Sequence, residues 1–484
     1  MKRNDNRTGM AEVKLIPLEV LLGHPEREGA LISPDGKRLS YLAPLDGVLN
    51  VFVGEAGSGS ARPVTHDTGR GIQGYMWAHD NRHLLYARDE DGSENVRLYD
   101  VDLETGVERD LTPMADVQCR VIAHYKQFPN EVLIGLNKDN PQLHDVYHLD
   151  LTTGELEKIV ENPGFVEWVV DNDLKVRGGL AKAPNGSATI LVRDDEASEW
   201  RPLLEASPED AESTVPLWFT NDGQGMYVKT SVDSNTERLV EIDIATGTVA
   251  VIAEDPTYDI AEVIIHPDTW AIQSVTVYRE RLEYIVLDDT IRGDVEALER
   301  LNAGELIIIE RTHDDTTWLV AFDGDCEPVK FYLWDREAKS ATFLFDNRPQ
   351  VNDYPLVPME PFAFAARDGL TVHGYLSFPA DAEGTSLPAV LVVHGGPWGR
   401  DVWGLNPEAQ WLANRGYLCV QVNFRGSTGY GKDFLNAGDR EWGGKMHDDL
   451  LDAINHLVTQ GIVDRDRVAI YGGGVFPLTE SSQF

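Results

Sequence analysis

The chain is short of cysteine. Cys119, Cys326 and Cys419 are the only three in 484 residues, widely spaced and odd in number. That excludes a disulfide framework and a cysteine-based zinc site. It is also short of positive charge, with 42 Lys and Arg against 81 Asp and Glu, a formal net charge of −39. A surface of that sign repels phosphate and anionic lipid, so neither nucleic acid nor a membrane surface is expected as a partner. The same excess fits either a well-solvated acidic surface or adaptation to high salt. No run of about 18 apolar residues is present, so no spanning helix is expected. The first ten residues, MKRNDNRTGM, hold no apolar stretch of the signal-peptide kind, and a cytoplasmic location is the default expectation. Neither H-E-x-x-H nor G-x-x-x-x-G-K-[ST] occurs, so zincin and P-loop chemistry find no motif. No metal site and no cofactor is expected.

What is present is a repeat. RLYDVDLETGVERDLT turns at Gly106, VYHLDLTTGELEKIVE at Gly154, LVEIDIATGTVAVIAE at Gly247, and KFYLWDREAKSATFLF near Ala338. Each phrase is two alternating strands around a polar turn, a hairpin signature. The turns are separated by 48, 93 and 91 residues, so the two longer gaps each hide one further member. These fall near 200, in ATILVRDDEASEWRPLL, and near 290, in LEYIVLDDTIRGDVEAL; another sits around Gly57 and Gly59. A second hairpin precedes several of these, with turns at Pro34-Asp35-Gly36, Asp80-Asn81 and Asp222-Gly223. Seven units of four strands, each roughly 45 residues, predict a seven-bladed β-propeller. One four-stranded sheet cannot bury both its faces alone, and stacking blades around an axis does so. Two consecutive β-sandwiches are the alternative, disfavoured by the regular spacing.

After residue 355 the period changes. Pro349, Pro355, Pro358 and Pro361 mark a linker. Beyond it, LTVHGYLSFP, AVLVVHGG, YLCVQVNF and RVAIY read as strands, the third apolar enough to be buried on both faces. NPEAQWLANRG is a short helix with Asn406 as N-cap, Pro407 in the first turn and Gly416 at its end. A longer helix, KMHDDLLDAINHLVTQG, puts Met446, Leu450, Ala453, Ile454, Leu457 and Val458 on one face. Alternating strands and helices predict a parallel α/β sheet. The expected division is a tail over 1–14, a propeller over 15–355 and an α/β domain over 356–484.

HGGPWGR, NFRGSTGYGKDF and DREWGGKMHDDLLDAINHLV, followed by DRDRVAIYGG, resemble the prolyl oligopeptidase family of serine peptidases, in its acylaminoacyl-peptidase-like branch. The resemblance implies an all-β propeller followed by the N-terminal part of an α/β-hydrolase domain, an incomplete parallel sheet. It implies cleavage of short peptides through an acyl-enzyme, of oligopeptidase, acylaminoacyl-peptidase or dipeptidyl-peptidase type, without a cofactor. In such hydrolases the strand before the nucleophile ends in G-x-S-x-G. Here Gly472 and Gly473 match, but Gly474 stands where the serine belongs. Glycine has no side-chain oxygen, so no acyl-enzyme forms there. Ser481 and Ser482 lie seven and eight positions late. The family's Asp and His would fall beyond Phe484. The expectation is a truncated, inactive chain with no catalytic residue in place, or else a non-enzymatic propeller binding protein. By resemblance, the Gly395–Gly396 backbone is the remnant of the oxyanion loop. His394 is expected to be structural, Arg425 to organise a loop, and Asp448 and Asp449 to favour a helix start.

Overall fold

The computed structural model describes residues 14–89, 92–380 and 384–473. Seven antiparallel sheets follow one another along 28–346, spanning 28–63, 74–110, 119–160, 165–206, 215–253, 260–286 and 305–346. They are blades 1 to 7 of a propeller. Within each sheet the strands are neighbours in chain order. The hairpin turns sit where the repeat places them, and they need glycine for its backbone: Gly106, Gly154 and Gly247 have φ of 71°, 74° and 70°.

Blade 6 departs from the expected pattern. It has three strands, and the segment read as a fourth is helix α2 (Asp289–Glu299). Asp288 caps it by accepting a hydrogen bond from the Thr290 N–H. Ile291, Val295 and Leu298 are buried from one face against Trp318, Val320, Phe322 and Trp334 of blade 7. Helical spacing overrode the hairpin period there.

One apolar cluster fills each gap between neighbouring blades, including that between blade 7 and blade 1. Among the described residues no strand is shared across that last seam; Ala30, Ile32, Leu39 and Tyr41 of blade 1 meet Leu319, Ala321, Phe331 and Phe345 of blade 7. Glu310 crosses it, its Oε2 accepting from the Ile32 N–H at 2.8 Å. Burial pushes the Glu310 carboxyl up to about 7. A carboxyl raised on folding stabilises most below its unfolded value near 4.5, and that contribution is lost as pH rises through 7. Glu310→Gln should therefore flatten the fall in stability between pH 5 and pH 8 by on the order of 1–3 kcal/mol. Urea unfolding at several pH values checks this; an unchanged slope would exclude Glu310 as the source.

The described residues after the propeller form one sheet of five strands: β1 (Met359–Ala365), β2 (Thr371–Ser377), β3 (Leu387–Val393), β4 (Leu418–Asn423) and β5 (Val463–Gly472). Their order is β1-β2-β4-β3-β5. β4, β3 and β5 are parallel, while β1 and β2 are antiparallel additions, so the sheet is mixed rather than wholly parallel. β1 also begins inside the proline-rich stretch read as linker. Helix α3 (Pro407–Asn414) carries the expected Asn406 cap, its Oδ1 accepting from the Ala409 N–H. α4 (Lys432–Asn436), not foreseen, precedes α5 (Lys445–Thr459). α5 buries Met446, Leu450, Ala453, Ile454 and Leu457 against the sheet, with Val458 partly buried beside them. Among the described residues β5 has a neighbour on one side only.

The first described segment packs on this α/β part. Helix α1 (Leu18–Leu22) meets α3, the Ile16 N–H donates to Asn414 Oδ1 at 2.7 Å, and Arg415 Nη2 donates to the Ile16 carbonyl at 2.9 Å. No helix among the described residues is long and apolar enough to cross a membrane.

Candidate active site

β3 and β5 set the frame. Their parallel register pairs Val393 with Gly472, so both chains leave the sheet side by side at its carboxyl edge. That edge is where α/β sheets place their ligands. After β3 come His394, Gly395 and Gly396. Gly396 has φ of 130°, and a Cβ there would lie 2.6 Å from the Trp398 nitrogen, so only glycine fits. Gly474, the position expected to hold a nucleophile, lies outside the described residues, as do Ser481 and Ser482.

His394 is wedged in place. Its ring stacks on Phe424 with centroids 4.6 Å apart, Nε2 lies 3.0 Å from Ser427 Oγ, and Nδ1 lies 3.0 Å from the Gly395 carbonyl. Ser427 is fully buried and donates to the Phe424 carbonyl at 2.7 Å. These contacts tie the loop after β3 to the loop after β4.

Arg425, next along, turns away into the protein. Its Nη2 and Nε reach Asp449 at 2.7 and 2.9 Å, and Nη1 and Nη2 reach Asp368 at 2.8 and 3.0 Å. The guanidinium holds Asp368 well below the usual carboxylate range, and the two carboxylates hold the guanidinium up. Asp449 is fully buried under it. Asp448 instead pairs with Arg367 at 2.7 Å.

The propeller closes over this edge. Arg400, from the loop after β3, donates to the carbonyls of Tyr278 and Arg279 at 3.2 and 3.3 Å and to the Tyr430 hydroxyl at 2.9 Å. Asp259, just before blade 6, accepts from the N–H groups of Gly429 and Gly431 at 3.0 and 3.2 Å. Burial raises the Asp259 pKa, and those N–H groups oppose the rise. Lys432 reaches Asp210 at 2.6 Å, and Asn436 the Glu209 carbonyl at 2.8 Å.

Between the two parts lies a cavity of about 340 Å³. Trp398, Arg400 and Thr428 line it from the α/β side, and Glu212, Glu237, Asp259 and Tyr278 from the propeller. Glu237 is paired with Lys229 at 2.9 Å, and burial raises its pKa. Glu212 is half exposed and paired with Lys182 at 2.9 Å. Lys229 lines the same wall, so three carboxylates stand there with one cation. Trp398, on the lining, is 57% exposed. None of the propeller residues was singled out from sequence. They come from separate connections between strands, and no local spacing links them. Among the described residues no group of His, Cys, Asp and Glu has the arrangement of a metal site.

The family model described as prolyl oligopeptidase family matches residues 403–475. The dipeptidyl aminopeptidase BIII of Pseudoxanthomonas mexicana is 41% identical over 473 residues, which cover 96% of this chain and 68% of that protein. The dipeptidyl peptidase family member 6 of Caenorhabditis elegans is 33% identical, covering 95% of this chain and 67% of its own length. In fold, the chain is similar to a prolyl endopeptidase, with TM-score 0.71 and 14% identity over 94% of this chain and 69% of the other. A puromycin-hydrolysing peptidase of Mycobacterium tuberculosis gives TM-score 0.67 at 18% identity, over 94% of this chain and 75% of the other. A seven-bladed propeller set over the carboxyl edge of a partial hydrolase sheet, together with these two relatives of which the chain spans about two thirds, assigns the chain to the prolyl oligopeptidase family of serine peptidases.

Proposed function

We propose that the cavity between propeller and sheet receives the amino-terminal end of short peptides, in the manner of a dipeptidyl peptidase. The observation that carries this is an excess of carboxylates: Glu212, Glu237 and Asp259 line one wall with Lys229 as its one cation among the described residues, facing the loop that follows β3. An α-ammonium is attracted to such a wall, and a peptide carboxylate is repelled. The names of the two relatives point to the same substrates. Gly395 and Gly396 would donate their backbone N–H groups to the oxyanion. The family's nucleophile position is occupied here by Gly474, which lacks a side-chain oxygen, so polypeptide 1–484 is expected to bind such peptides without cleaving them. A non-enzymatic peptide-binding propeller is the second reading, favoured by that same lack.

We propose the division into a propeller over 15–355 and a hydrolase part over 356–484; the segment around α1 lies within the first range but docks on the second. Cys119, Cys326 and Cys419 are unpaired, which supports a reducing compartment such as the cytoplasm.

Calorimetric titration of polypeptide 1–484 with a dipeptide amide tests the site. The free-amine form should bind at least about tenfold tighter than its N-acetyl form, the equivalent of about 1.4 kcal/mol. Glu212→Gln should erase most of that difference. Equal affinity for the two forms would rule the acidic wall out as an amine subsite.

A further inference from the structure

The hydrolase part contacts the propeller through connections such as those joining second and third strands, at Tyr278–Glu280 of blade 6 and Asp323–Asp325 of blade 7. The turns joining first and second strands therefore lie at the other end of the axis. Four of the chain's 13 histidines gather there: His79 of blade 2, His124 of blade 3, His266 of blade 6 and His313 of blade 7.

Two features make this end unusual. The first is a bridge across the axis. Blades 3 and 6 stand on opposite sides of the ring, yet their turns touch. The Tyr125 ring meets the Trp270 ring edge-on, with centroids 4.8 Å apart, and Lys126 pairs with Asp268. Tyr125 is anchored in turn, its hydroxyl donating to the Val170 carbonyl of blade 4 at 3.1 Å. Side chains from opposite blades cannot meet around an open mouth. Beside the bridge lies a cavity of about 210 Å³, lined among others by His79, His124, His313 and Glu310.

The second is the way the blade 6 turn is held. His266 Nδ1 accepts from the N–H groups of both Asp268 and Thr269, at 3.1 and 3.2 Å. The Trp270 N–H returns to the His266 carbonyl at 3.0 Å. Trp270 itself sits at φ of 58°, a left-handed conformation costly for a bulky side chain. The turn thus keeps its shape, and aims its indole at Tyr125, only while Nδ1 has a free lone pair. A proton on Nδ1 would turn an acceptor into a donor facing two other donors.

We propose that Tyr125–Lys126 and Asp268–Trp270 form a strap that shuts the remote end of the propeller, released when His266 and the adjoining trio His79, His124 and His313 take up protons. The trio is already tight: His79 Nδ1 lies 2.9 Å from His313 Nε2, and the rings of His79 and His124 are 4.4 Å apart. Charge on one ring repels charge on its neighbours. Burial, with this mutual repulsion and Lys126, lowers His79 to about 4. Burial also lowers His124 and His313, against the opposing pull of Asp80 on the former and Asp35 and Asp314 on the latter. For His266, burial with Arg311, Arg336 and Lys126 outweighs the attraction of Asp315. Asp288, at the α2 cap, also acts on this ring, and Asp268 sits on its own turn with its carboxylate on Lys126.

The sign follows. A histidine held neutral in the shut state, and free to titrate near 6.5 once released, favours the shut state above about pH 6.5. Below it, each such histidine shifts the balance toward release by up to about tenfold per pH unit. While shut, the strap bars an extended peptide from passing along the axis to the cavity beneath the propeller.

Contact quenching by Trp270 reads the strap directly. Polypeptide 1–484 carrying Cys326→Ser, to remove the exposed thiol, and Gln127→Cys would be labelled with bimane at position 127. The label should be dark at pH 7.5 and at least about twofold brighter at pH 5.5, reversibly. Trp270→Phe should be bright at both values. Asparagine can present its side-chain oxygen where His266 presents Nδ1, so His266→Asn keeps the turn without a titrating group. His266→Asn combined with His79→Gln should stay dark at both values, and His266→Asn alone should lose part of the response. Equal darkness at both pH values in the parent, or full brightening retained in the double variant, would overturn the proposal. Far-UV circular dichroism at both pH values separates release from unfolding.

Discussion

Polypeptide 1–484 is expected to hydrolyse chromogenic dipeptide and acyl-peptide substrates no faster than buffer. Acyl transfer needs an oxygen or sulfur nucleophile where β5 leaves the sheet, beside the loop that follows β3. The register of Val393 with Gly472 sets that place, and the chain supplies Gly472, Gly473 and then Gly474. Losing any member of a catalytic triad leaves at most a residual of about 10³–10⁴ over water, supplied by the oxyanion donors and binding. The effect is therefore large, several orders of magnitude below an intact enzyme. Gly474→Ser should not restore turnover in this polypeptide. His394, at that edge, is stacked on Phe424 and bound to Ser427 and Gly395, and His373 is stacked on Tyr430, so neither is placed to serve as base. Steady-state assays after two independent purifications would check it. Turnover that persists, and that a serine-directed phosphonate abolishes, would show a nucleophile that this arrangement does not contain.

Arg425→Met is expected to be among the most damaging single changes in the hydrolase part. The guanidinium is nearly fully buried between Asp449 and Asp368, with four charge-assisted contacts of 3.0 Å or less. Removing it leaves the buried Asp449 carboxylate without its counter-charge, at a cost of about 3–5 kcal/mol. Asp368 is more exposed and recovers water. Arg425→Met with Asp449→Leu should regain much of the loss, because a buried ion pair replaced by apolar groups is often neutral. Two domains need not unfold in one step, so the readout should be local. Hydrogen exchange along α5, which carries Asp449, is suitable. Protection unchanged in the single variant would mean that the pair contributes little.

The propeller was readable because its turns carry a backbone demand that shows in the sequence. Gly106, Gly154 and Gly247 sit where a positive φ is needed, so their spacing counts blades. The blade 6 segment was misread because the same interval also holds Ile291, Val295 and Leu298, at helical spacing, behind an Asp288 cap. Two patterns competed, and packing on Trp318 and Trp334 favoured the helix. In the hydrolase part the role of Arg425 as an organiser of loops was legible from its place after β4, but its partners were not. They are 24 and 57 residues away, a distance no local pattern spans. The acidic wall was illegible for the same reason. Glu212, Glu237 and Asp259 become neighbours only when separate blades stand around one axis.

The seam between blades 1 and 7 has a consequence in time rather than in space. Blade 1 ends at Pro63 and the blade that covers its outer face begins at Glu305, about 240 residues later. At synthesis rates of about 5–20 residues per second, Ala30, Ile32, Leu39 and Tyr41 stay uncovered for roughly 10–50 s after blade 1 has been made. Ile16 waits longer still, because Asn414 and Arg415, which hold it, follow about 400 residues later. The ring therefore emerges from the ribosome with a sticky leading edge, and its first blade is the part of the nascent chain most in need of a chaperone.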